Sequence, residues 1–172
     1  KNKILKLNDV DEYTDGRYIR RVGESFGSIY LREYAGVDPE NGLPMYYSNE
    51  PQEDGSLSRE KVYDPNNAYR IICCDIFPYL TGSLQNTFGY KGLALSFNFT
   101  FSLGGHSYDN MMYGLEDDGY SASTNKSIAL RNRWQNPGDV TDIPRYIYGQ
   151  EYGGWWNSSR GVHSTDHIRL KN

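Results

Sequence analysis

The fold class this sequence of 172 residues predicts is all-β: antiparallel strands and long extracellular loops forming part of a β-barrel that crosses a membrane. Three observations lead there. The stretch "YKGLALSFNFTFSLGG", residues 90–105, sets a large hydrocarbon at every odd position from Leu93 to Leu103, with a small or polar uncharged residue at each even one. Between Leu80 and Leu103 the only charge is Lys91, where the chain average of 23% predicts about five or six. After Leu103 come about sixty residues with little strand pattern, too long a loop for a compact soluble domain but ordinary outside a barrel.

The elements follow in chain order. "KNKILKL" opens in the middle of an alternating pattern and "DHIRLKN" ends in one, so the chain is expected to continue at both ends as part of a longer polypeptide. "ESFGSIYLREYAGV" (24–37) reads as a strand running into "DPENG" (38–42), whose Pro and Gly favour a turn, and "LPMYYSN" (43–49) returns from it. "NEPQEDGSLSRE" is a polar connection, and "KVYDPNNAYRIICC" leads into the next strand. A hairpin occupies 79–103, turning at Lys91-Gly92. If two residues form the loop, Tyr90 faces Leu93, Phe88 faces Leu95, Leu84 faces Phe99 and Leu80 faces Leu103. The loop spans 104–164, with room for a helical turn or two around "STNKSIALRNRW", and the next strand begins at about 165.

Eleven residues at about 3.3 Å each, tilted by about 45°, cover about 25 Å, the height of the apolar band of a membrane barrel. A sandwich strand also alternates, but it is usually half as long and carries charges on its wet face. The side predicted to face lipid is therefore Leu84, Phe88, Leu93, Leu95, Phe97, Phe99 and Phe101. The side predicted to face the lumen is Ser83, Gln85, Thr87, Ser96, Asn98, Thr100 and Ser102.

Composition narrows the function. Only 37% of residues are hydrophobic, with 16 Tyr, 6 Phe and 3 Trp among them, so a large aliphatic interior is not expected. The net charge of −4 comes from well-mixed signs and gives no basic face for nucleic acid. No nucleophile elbow, phosphate loop or zinc-protease helix is present, and no catalytic, cofactor or metal residue is assigned. His163, Asp166 and His167 are metal-capable types that an extended chain holds apart; His106 with Asp109, and Glu116 to Asp118, lack the spacing of a known site. Cys73 and Cys74 are adjacent. Neighbours on a strand point to opposite faces, so they make a poor metal clip, and a bridge between them is strained.

Four blocks, in order, carry a resemblance. They are "REYAGVDPENGLPMYY" (32–47), "LTGSLQNTFGYKGLALSFNFTFSLGG" (80–105), "LRNRWQNPGDVTDIPRY" (130–146) and "IRLKN" (168–172). Together they resemble the carboxy-terminal part of the barrel in SusC/RagA-type TonB-dependent outer-membrane transporters of the Bacteroidetes. The chain departs from that pattern at Ala94, where Asp is usual, at His167, where an aromatic is usual, and in the unusually apolar "RIICCDIFPYL".

The resemblance implies a multi-pass barrel in the bacterial outer membrane, importing oligosaccharides or peptides, with no enzymatic activity and no cofactor. The partners it implies are the remainder of the barrel, a plug not expected within residues 1–172, and a SusD-like surface lipoprotein. Outer-membrane lipid and the TonB complex, reached through the plug, complete the set. In the loop, Tyr152, Trp155 and Trp156 are candidates for contact with cargo or lipoprotein, since exposed aromatics bury a large rigid surface at little entropic cost. Trp134 and Pro144 are expected to hold their loop's shape. The alternative is a secreted β-sandwich that binds carbohydrate, with the alternating strands as its core.

Overall fold

The computed structural model describes residues 2–120, 123–149 and 157–171. Its strands are β1 (Glu12–Asp15), β2 (Tyr18–Arg21), β3 (Ser28–Arg32), β4 (Tyr34–Val37), β5 (Pro44–Tyr47), β6 (Lys61–Val62) and β7 (Arg70–Asp75). There follow β8 (Leu80–Tyr90), β9 (Leu93–Leu103), β10 (His106–Tyr108), one helical turn α1 (Asn110–Leu115), β11 (Val162–Ser164) and β12 (His167–Lys171). Four sheets result, in the orders β1-β2-β3-β7, β4-β5-β6, β10-β11 and β12-β9-β8, and every pair within them is antiparallel.

Two regions differ in kind. One is a cap built from the short strands and the loops. It holds the buried residues Ile19, Ile29, Leu31, Val37, Tyr46, Tyr108 and Leu130, with Tyr18, Cys73, Cys74, Ile76 and Val162 packed against the Ile29–Leu31–Tyr108 cluster. The other is the ribbon β12-β9-β8. No residue from Tyr79 to Gly104, or from Thr165 to Lys171, is buried.

The long hairpin takes the register that a two-residue loop dictates, from Tyr90↔Leu93 to Leu80↔Leu103 without a slip. Both loop residues have positive φ, Lys91 at 45° and Gly92 at 87°. That is the turn whose twist matches the strands it joins. Gly92→Val forces a β-branched side chain into this region and is expected to cost about 1–3 kcal/mol. Thermal melting of the detergent-extracted protein reads it as a lowered transition temperature, with Gly92→Asn close to wild type.

The cap departs from the sequence expectation in instructive ways. The strand expected over 24–37 is two strands that pair into different sheets, β3 with β7 and β4 with β5. The β1–β2 hairpin turns at Gly16 (φ 61°), a turn signal carried by Asp-Gly in "TDGRY" rather than by periodicity. The helical turn in "STNKSIALRNRW" is a 3-10 turn at Ile128–Asn132, while α1 was not anticipated; its start is fixed by Asp109, whose carboxylate accepts from the amides of Met111 and Met112. The short strands β10 and β11 prolong the β9–β12 pairing on the cap side.

Candidate membrane-facing surface

In an antiparallel pair, directly opposed residues share a face. The register therefore puts Leu80, Leu84, Phe88 and Tyr90 of β8 beside Leu103, Phe99, Leu95 and Leu93 of β9, with Phe97 opposite Asn86 and Phe101 opposite Gly82 in the same row. β12 extends it: Ile168 opposes Phe101 and Leu170 opposes Phe99. The opposite face carries Ser83, Gln85 and Thr87 with Thr100, Asn98 and Ser96, Ser102 beside Thr81, and His167, Arg169 and Lys171 from β12. Leu84, Phe88, Leu93, Leu95, Phe97, Phe99 and Phe101 thus share one face of the ribbon, and Ser83, Gln85, Thr87, Ser96, Asn98, Thr100 and Ser102 share the other. Leu80, Leu103, Tyr90, Ile168 and Leu170 also belong to the hydrocarbon side, and the alternation in "HIRLK" was the signal for the last two.

The hydrocarbon face is bare. Leu84 is 56% exposed, Phe88 58%, Leu93 77%, Leu95 62%, Ile168 72% and Leu170 59%. Phe97 meets Phe88 and Phe99 at ring distances of 5.9 and 5.5 Å, and the Phe101 ring lies across Gly82, where a Cβ would come within 2.5 Å of it. Six such side chains, each about two-thirds exposed and worth about 1.5–3 kcal/mol on full burial, leave on the order of 6–12 kcal/mol of transfer free energy unrealised. That rivals the whole stability of a small domain. A core strand of a sandwich does not leave this face open, and no second sheet lies over it among the described residues. On the polar face the Thr87 and Ser96 hydroxyls meet at 3.1 Å.

At the cap end, two of the quoted motifs interlock. The Trp134 indole N–H donates to the Pro39 carbonyl at 2.8 Å, the amide of Gly138 donates to the same carbonyl at 2.8 Å, and Arg145 N–H donates to the Gly42 carbonyl at 2.9 Å. The Trp134 ring covers Gly42, whose φ of 72° and lack of Cβ admit it; a Cβ there would stand 2.4 Å from the ring. Pro144 is fully buried, so both residues hold the loop as expected. Asp139 accepts from the amides of Gln135 and Asn136, which keeps its carboxyl below the usual range.

Buried ion pairs tie the cap together. Arg160 meets Asp118 at 3.0 Å, with side chains 8% and 1% exposed, and Lys126 meets Asp117. Arg160 also lies near the Tyr34 ring, which packs edge-on against Tyr46; burial raises both phenols above their ordinary pKa. Asp117 and Asp118 of the acidic run thus serve as internal partners for cations. Asp166 accepts from the Gly104 amide and His167 contacts the Thr165 carbonyl, so "HSTDH" serves the junction of cap and ribbon. No group of three metal-ligating side chains gathers among the described residues. Tyr152, Trp155 and Trp156 lie outside them.

The cysteines depart from the expectation for a regular strand. The β3–β7 register slips between Ile29 and Tyr30, Ile29 pairing with Cys74 and Tyr30 with Ile72, so Cys73 is an extra, bulged residue. Both thiols consequently pack against the same core cluster.

No family profile matches the chain. A TonB-dependent receptor, "TonB-dependent receptor P39" of Formosa agariphila, is 24% identical over 213 aligned positions, covering 99% of this chain and 20% of that protein. Among solved structures, the RagAB peptide transporter matches with a TM-score of 0.77 and 26% identity, over 98% of this chain and 18% of that one. The RagAB peptide importer matches with TM-scores of 0.76 in its closed-closed state and 0.74 in its open-open state. These relatives are described as a receptor and as importers, in line with a chain expected not to be an enzyme. The chain spans about a fifth of their length. In sequence and in fold, it is similar to a segment of a TonB-dependent outer-membrane receptor of the SusC/RagA kind.

Proposed function

We propose that this chain forms strands and loops of the wall of a TonB-dependent transporter in the bacterial outer membrane. The observation that carries the reading is the bare hydrocarbon face of β8, β9 and β12, which acyl chains would cover without breaking a backbone hydrogen bond of the ladder. On this reading Leu84, Phe88, Leu93, Leu95, Phe97, Phe99 and Phe101 touch lipid. Ser83, Gln85, Thr87, Ser96, Asn98, Thr100 and Ser102 line the lumen. The Lys91-Gly92 turn is periplasmic, and residues 104–164 form an extracellular loop anchored by the cap.

Barrel closure comes from further strands. Pairing them along the free edges of β8 and β12 satisfies backbone groups that a bilayer leaves without partners. A plug reached by the TonB complex gates the lumen. A SusD-like lipoprotein covers the extracellular side, with Tyr152, Trp155 and Trp156 offering it or the cargo an aromatic surface. Cargo is oligosaccharide or peptide; the likeness to a peptide importer favours peptide. The test uses the native organism. A tagged protein is expected to co-purify with one surface lipoprotein, and its deletion is expected to abolish uptake of labelled oligopeptide or oligosaccharide. Unchanged uptake of both classes, with no lipoprotein recovered, would contradict the proposal.

A further inference from the structure

The geometry points to a binding site outside any transport role: Cys73 and Cys74 form a dithiol chelate for a trivalent, thiophilic centre of the arsenic(III) class. On a regular strand, neighbouring side chains diverge. The bulge at Cys73 cancels that divergence, and the two Sγ atoms stand 3.3 Å apart, both thiols free. Both line a cavity of about 910 Å³, together with Ser25, Ser28, Asp75 and Tyr79. The pair is therefore reachable while it stays anchored on the cap's core.

The separation discriminates among ligands. A disulfide between neighbours in sequence closes a small ring across a single peptide bond and is strained. With bonds of about 2.3 Å, as in zinc thiolates, sulfurs 3.3 Å apart subtend about 92° at a shared centre, well below the tetrahedral angle zinc adopts. Zinc also demands four ligands, and no third metal-ligating side chain joins the pair among the described residues. Near-right-angled pyramidal bonding to two sulfurs and one carbon is the geometry of a monosubstituted trivalent arsenical.

The chemistry balances without an oxidant. An arsenoso group, R–As=O, condenses with two thiols; two As–S bonds form, the As=O bond breaks, and the oxygen leaves as water with the two thiol protons. No electron changes hands. The pair is poised for this. The contact between the two sulfurs lowers the Cys73 thiol and raises the Cys74 thiol from their ordinary pKa values.

The experiment applies biotin-linked phenylarsine oxide to native outer membranes carrying the full-length protein. The folded protein is expected to take up one arsenical per chain, gaining its mass less one water. The adduct should survive a monothiol wash and be released by 2,3-dimercaptopropanol. Cys73→Ser and Cys74→Ser should each lower retention through the wash at least tenfold, at wild-type abundance in the membrane. Three results would overturn the site: label retained in either single variant, uptake only after prior reduction, or uptake by denatured but not by native wild-type protein. The last comparison needs no variant, so it decides even where a serine substitution impairs assembly.

Discussion

Replacing Phe99 by Arg is expected to remove most of the protein from the outer membrane, while Ser96→Arg, three residues away on β9, leaves assembly close to normal. Phe99 is central in its strand and in its row, opposing Leu84 on one side and Leu170 on the other. A guanidinium there would meet hydrocarbon near the bilayer midplane, at a cost of about 2–4 kcal/mol, or roughly 30- to 900-fold in the assembly equilibrium. Ser96 opposes Thr87 on the polar face, so an arginine at that position gives up one hydroxyl contact and keeps its water. Membrane fractionation followed by heat-modifiable gel mobility separates the outcomes. Equal loss in both variants would mean that the two faces do not see different solvents.

The second large effect lies in the cap. Arg160→Ala strips the buried Asp118 carboxylate of its guanidinium partner and is expected to destabilise the cap by about 3–5 kcal/mol. The ribbon has no buried residue to lose, so the variant should still reach the membrane. The readout is limited proteolysis of intact cells: cleavage within residues 104–164 should appear in Arg160→Ala, with Arg160→Lys intermediate because it keeps the charge and loses the fork. Protection equal to wild type would show that the pair contributes nothing to holding the loop. Because one variant strikes the ribbon and the other the cap, the two test separate halves of the account.

The ribbon was legible because its determinants are local. A two-residue period fixes the faces, and Lys91-Gly92 fixes the register, so pairing across eleven residues follows from a few letters. The cap was only partly legible, for three physical reasons. Its strands are of two to six residues, and arginines and tyrosines blur their alternation, as in "YIRR" of β2. The bulge at Cys73 inverts the side-chain phase within β7, which no periodicity argument anticipates. Its closure is non-local: Trp134 over Gly42, and Arg160 against Asp118, join residues 92 and 42 positions apart that no spacing rule connects. The motif resemblance marked those segments without saying that they touch one another.

The most direct test of the central claim is a cysteine scan of residues 93–103 in the full-length protein, with Cys73 and Cys74 replaced by Ser, probed by a water-soluble maleimide in intact outer membranes. Thiols at the even positions, Ala94 to Ser102, should react through the aqueous lumen. Those at the odd positions, Leu93 to Leu103, should stay unlabelled until detergent removes the bilayer. Labelling that ignores the alternation, or that favours the odd positions before detergent is added, would contradict a lipid-facing Phe97–Phe101 surface.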